Sequence, residues 1–545
     1  MRRRLLSSSL GLSAGLGFLT LALSAAAVLT AVACKVEQET PDPDGGGDYD
    51  ANLGDTNPVA DDVGPDPDGS VAHCTLDDGT DPVSLCTQKL VLQSMHNAAF
   101  SATKGVAESW SSTTGVPDSD GGVRLHDWHD DVAYAAAAAL YHTSTNLYGD
   151  TQLTPTLDGD LLALAPFIEK ELATIPAEYE GEAYQRLRVA AGGLNVINDT
   201  TDGTLINAIA DKIGEQIYTK YFFRLAALPD AGAGDAGDAG AGDAGHDGGA
   251  TDSGGQTEAG AGSDAGPPLV VEDGVLGLPG ANGAYSYVTA DVATGAYALL
   301  DLAVRYPTNA NHANWERAAV SALDHIYNRA RDPATGLYYT ALVTSNDPDH
   351  DALDTTNPQA GDLLADTATT VGLVLSRAQD MANNQGAALS LVASYPFSEH
   401  VDSVLAALNG SQPLYDGPPL DAGAMSTGLL EGYVPATKTF ITTKTTRSNA
   451  YAVAVLHRQE SMVGTTYVTE SAPMIETLVS PGPPSSSSLI TCILGQDAYF
   501  RACTRGFGLP DAGGPPPPSS YQTQAVVTFV EGMSELLYGL PQLNP

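Results

Sequence analysis

Apolar positions along this chain recur mostly at helical spacing. Val288, Val292, Gly295, Leu299, Leu302 and Tyr306 fall on one stripe of a 3.6-residue helix. Pro307 ends it, because proline lacks the N–H and crowds the preceding turn. Trp315, Ala319, Ala322 and Ile326 repeat the stripe after a short polar link, which predicts an antiparallel hairpin. Asp332-Pro333-Ala334-Thr335-Gly336 supplies turn residues, and Leu364, Thr367, Val371, Val374, Ala378 and Met381 make a third stripe. These faces are rich in alanine and glycine, so backbones can approach closely and neighbouring hairpins must complete the burial.

The same pattern predicts helices over residues 85–100, 129–148, 161–174, 182–196 and 205–225, then over 401–408, 424–433, 448–462 and 521–540. Residues 437–446 read best as a short strand arm. With the central three, about a dozen helices result. The fold class is mostly α, built from antiparallel hairpins.

Two stretches break the periodicity. Residues 37–70 and 229–268 are rich in Asp, Pro and Gly, with too few apolar residues to bury a core. The chain therefore divides into 1–33 as a signal peptide, 34–70 as an acidic tether, 71–228 as the first part of the helical domain, 229–268 as a disordered Asp-Ala-Gly-rich insertion, and 269–545 as the second part. The signal reading rests on Arg2, Arg3 and Arg4 ahead of an apolar run over 10–32. That run ends at Ala31-Val32-Ala33-Cys34, which resembles a bacterial lipoprotein signal. The resemblance implies lipidation of Cys34 and anchoring to a membrane. Lys35 stands where an aspartate would favour retention at an inner membrane, so the expectation is an outer membrane. In an exported chain, Cys74 with Cys86 and Cys492 with Cys503 are expected to form two short-loop disulfides.

The formal net charge is -42, and nineteen of the 66 acidic residues lie in the two linkers, so the folded part is acidic too. No basic patch exists to neutralise phosphates, which excludes nucleic acid as a partner. No G-x-S-x-G, P-loop or dinucleotide fingerprint is present, and the sequence specifies no cofactor.

A dozen paired helices, with the turn Asp332-Pro333-Ala334-Thr335-Gly336-Leu337-Tyr338-Tyr339 and the helix opened by Ala365-Asp366-Thr367, resembles the (α/α) toroids of six-hairpin glycosidases and sugar epimerases. An open α-solenoid or paired bundles would give the same helix count. The toroid resemblance implies that Asp332 and Asp366 act as a carboxylate pair, with Tyr338, Tyr339 and Trp315 stacking on a sugar. The structural alternative makes both aspartates caps and the aromatics core. A second candidate is the run Arg124-Leu125-His126-Asp127-Trp128-His129-Asp130-Asp131, where His126, His129 and Asp130 supply imidazole and carboxylate for a metal; the alternative is a helix cap. His457 and Glu460 form an H-x-x-E pair similar to that of imelysin-type lipoproteins, but Val455 stands where their glycine would be. The acidic loop around His350, with Asp347, Asp349, Asp351 and Asp354, lacks EF-hand spacing and reads as solvated. The expected function is a lipid-anchored envelope protein that binds or processes glycans in a toroid cleft. A metal-binding envelope lipoprotein and a non-catalytic scaffold are the alternatives.

Overall fold

The computed structural model describes residues 82–225, 274–416, 428–463 and 520–538, apart from short breaks of one to four residues, together with Met474. Cys34, both acidic linkers, Cys74, Cys492 and Cys503 lie outside the described residues, and Cys86 lies in the first helix.

Twelve α-helices occupy the described residues: α1 (Pro82–Ala98), α2 (Trp128–Tyr148), α3 (Thr154–Glu171), α4 (Gly181–Val196), α5 (Thr200–Gln216), α6 (Thr289–Arg305), α7 (His312–Arg329), α8 (Ala365–Gln385), α9 (Ser390–Ser394), α10 (Phe397–Leu408), α11 (Thr446–Val463) and α12 (Thr523–Tyr538). The stripe predicted over 205–225 is helical only to Gln216. A π-helical turn, Ile217–Tyr221, and a strand, Phe222–Arg224, complete it. Residues 428–433, the described part of the helix expected over 424–433, are not helical. Gly428–Leu429 and Gly432–Val434 are strands, because the latter pairs with Leu363–Leu364 and with Thr439–Ile441. The predicted arm over 437–446 is a strand only at Thr439–Ile441, since α11 starts at Thr446.

Six helices close a ring in which each packs on the next: α2 on α4, α4 on α6, α6 on α8, α8 on α11, α11 on α12, and α12 back on α2. The closure by α12 makes this a toroid rather than an open solenoid. The other helices lie outside it; α3 packs on α2, α5 on α4, α7 on α6, and α10 on α8. Ring helices are joined to their outer partners by only three to six residues from α2 to α3, α4 to α5, α6 to α7 and α8 to α9. Links that short force antiparallel neighbours. Each of these four ring helices is therefore followed by a helix that turns back on the outside.

The ring contacts are close because small residues face one another. A Cβ on Gly181 would lie 2.5 Å from the backbone N of Gly295, and a Cβ on Gly295 would overlap the Tyr179 hydroxyl. Most of the alanine face of α2, from Ala133 to Ala139, is buried.

Candidate functional site

The longer connections all precede ring helices, and hydrogen bonds tie their ends into a rim. Strand Ser109–Ser111, before α2, pairs with Ser520–Gln522, before α12. Thr523 N donates to Glu108 O at 3.0 Å. Ala365 N, opening α8, donates to Glu431 O in the link before α11. Thr289, opening α6, donates its N–H to Thr340 O and its hydroxyl to Tyr339 O. Tyr179, just before α4, donates to Val292 O in α6. The amino-terminal ends of the ring helices thus share one mouth.

Charged side chains from these first turns converge there. Arg447 of α11 contacts Asp366 of α8 through Nε at 2.7 Å and Glu182 of α4 through Nη1 at 3.3 Å. Arg186 pairs with Glu182 at 2.8 Å and with Glu531 of α12 at 2.7 Å. It also donates to Gln524, which in turn donates to Asp130 at the start of α2. Deeper in the ring, Glu535 takes Arg377 and Arg458, each at 2.8 Å. Although it is buried, its carboxyl is held below its ordinary value because the two guanidiniums outweigh the desolvation. A narrow cavity along the axis is lined by Glu182, Arg186, Thr294, Tyr297, Arg447 and Glu531. The ring centre is polar, with its charges matched across helices.

Asp130, in the first turn of α2, is a perturbed carboxyl. Burial, with Glu108 and Asp127 near it, pushes it up to about 7 against the opposing hydrogen bond from Gln524.

The sequence-nominated residues separate into three environments. Asp332 accepts from Thr335 N at 2.9 Å, Thr335 Oγ1 at 2.7 Å and Tyr339 Oη at 2.8 Å, so its carboxylate caps its own turn. That turn sits at the mouth, since Thr289 binds Tyr339. Asp366 is 40% exposed and faces Arg447. Trp315 and Tyr338 are sealed in the core, out of reach of a sugar face, whereas Tyr339 is half-buried.

His126, His129 and Asp130 do not meet at one point. His129 lies between Asp127 at 3.0 Å and Glu180 at 3.1 Å, stacked on Trp128, and Asp130 turns to Gln524. Burial disfavours the charged His129 ring, but those two carboxylates raise it to about 9. His126 instead joins Asp131, from the same run, and Glu171, which nothing in the sequence linked to it. Asp351, read as a solvated loop residue, is buried, accepts from Tyr287 Oη at 2.7 Å, and lies 2.8 Å from His325 Nε2.

No family model and no curated relative matches the chain. Solved structures of related shape include a family 76 glycoside hydrolase from a bovine Bacteroides thetaiotaomicron strain, at 8% identity and TM-score 0.48, covering 84% of this chain and 78% of that one. An unsaturated glucuronyl hydrolase from a Bacillus species is similar at 9% identity and TM-score 0.46, covering 84% of this chain and 97% of that one. An alpha-1,6-mannanase from a Salegentibacter species is similar at 10% identity and TM-score 0.45, covering 83% and 98%.

Proposed function

We propose that the mouth of the ring binds and hydrolyses glycans, and that the chain is exported and lipid-anchored through Cys34. The observation that carries the glycan reading is the meeting of Glu182 and Asp366, from two ring helices, on the single guanidinium of Arg447. One guanidinium and two contacts separate the carboxylates, within the roughly 5–10 Å used by glycosidase pairs. Asp366, the exposed carboxylate, activates water or attacks the anomeric carbon, and Glu182, across Arg447 from it, is the second carboxylate of the pair. Of the pair suggested by the toroid resemblance, Asp366 keeps a chemical role; Asp332, with its three internal donors, is a positioning residue for the turn carrying Tyr339.

The test is hydrolysis of a glycan panel by the purified chain. Asp366→Asn and Glu182→Gln should each lower kcat about a hundredfold or more with the fold kept by circular dichroism, the usual scale for losing an acid or base. Hydrolysis that survives both substitutions, or no cleavage of any glycan, sinks the reading. The anchor is tested separately: Cys34→Ser should move the protein from the membrane fraction to the soluble one.

A further inference from the structure

We infer that His126, Asp131 and Glu171 form a site for a divalent transition-metal ion that ties the chain before α2 to the end of α3. One ligand atom from each residue lies within 4.8 Å of the others. His126 Nε2 is 2.9 Å from Glu171 Oε1 and 3.3 Å from Asp131 Oδ2. Three donors that close surround a point at metal–ligand distance, roughly 2.0–2.2 Å for zinc.

Three further features point to a cation. First, the histidine is oriented as metal-bound histidines are. Its Nδ1 lies 3.1 Å from Val106 O, and a carbonyl only accepts, so Nδ1 carries the proton. In the neutral ring the Nε2 lone pair then faces the two carboxylates. Second, Asp131 is completely buried. Its Oδ1 accepts from Val106 N at 2.6 Å, while its Oδ2, aimed at His126, has no hydrogen-bond donor; Glu171 Oε2 is buried without one as well. A carboxylate oxygen buried in this way without a donor is costly, and a bound cation removes that cost. Third, Glu171 is the last residue of α3, where the helix dipole is negative and disfavours a carboxylate without a partner cation.

The backbone is shaped to this cluster. Gly105 has φ +68°, and a Cβ there would lie 2.5 Å from Asp131 Oδ1 and 2.7 Å from His126 Cε1. Only glycine lets residues 105–106 approach so closely. One imidazole with two carboxylates suits Zn²⁺ or Mn²⁺ better than Ca²⁺, which takes six to eight oxygens. This site is separate from the proposed glycan chemistry and stands or falls without it.

The test is titration of the purified, chelator-stripped chain with ZnCl2 alone, followed by calorimetry and by thermal midpoint. One zinc per chain is expected, with a raised midpoint. His126→Ala and Glu171→Gln should each weaken binding tenfold or more, while His142→Asn leaves it unchanged. Because Glu171 is partly exposed, E171Q guards against a variant that fails to fold, and circular dichroism without metal confirms it. No saturable binding, or one-to-one binding that survives both substitutions, overturns the inference.

Discussion

His129 holds two carboxylates at once, and its charge belongs to the fold. Its folded value, about 9, lies above the ordinary 6.5. The stabilisation is therefore complete below about pH 6.5 and disappears as pH rises towards 9. His129→Gln should lower stability by about 1–3 kcal/mol at pH 6, the scale of a charged hydrogen bond, and by almost nothing near pH 9.5. Thermal midpoints of both proteins across that range check it; a pH-independent difference would mean a packing role. At this scale the sequence pointed to the right patch but not to its pairings. The run 124–131 was visibly rich in ligand types. That His126 would turn to Glu171, 45 residues away, depends on how α2 and α3 cross, and no local spacing encodes that. Asp332 was the reverse case: a D-x-x-T-G turn predicts its own cap, and the cap is there.

Helices with long apolar stripes are the ones most legible in the sequence. α6, α7 and α12 fall within a few residues of the periodic expectation, although α6 is buried on every side from Val292 to Ala303. The stretch 424–433 misled because Gly-Leu-Leu-Glu-Gly-Tyr has helix-like spacing, yet its glycines suit an extended segment that takes backbone hydrogen bonds from Leu363–Leu364. Such tertiary pairing overrides propensity. Gly295 illustrates what an element asks of one position. It belongs to the α6 stripe, and the Tyr179 hydroxyl fills the space a methyl would need. Gly295→Ala should cost about 1–3 kcal/mol by overpacking, even though alanine is the better helix former. A midpoint in urea that stays put or rises would show that α4 and α6 can part without penalty.

For the whole molecule, closure was the one architectural question the pattern left open. Helix count alone fits a ring or an open stack; the contact of α12 with α2 decides for the ring. Strand Phe222–Arg224 pairs with Gly274–Leu276, so residues 226–273 leave and return at adjacent points. Exchanging them for a two-residue Asn-Gly turn should change stability by less than about 2 kcal/mol, because closure entropy depends only logarithmically on loop length. A collapse of the thermal midpoint on that exchange would show that the insertion packs on the ring.

The last described helix completes the first part of the circle: Gln524 reaches Asp130 across 394 positions. During synthesis, α2 emerges long before the helix that covers one of its flanks. Until then an alanine-rich surface stands bare, and contacts this distant in sequence form slowly. A chain cut just ahead of α12 would lose the helix that, among the described residues, joins α11 to α2.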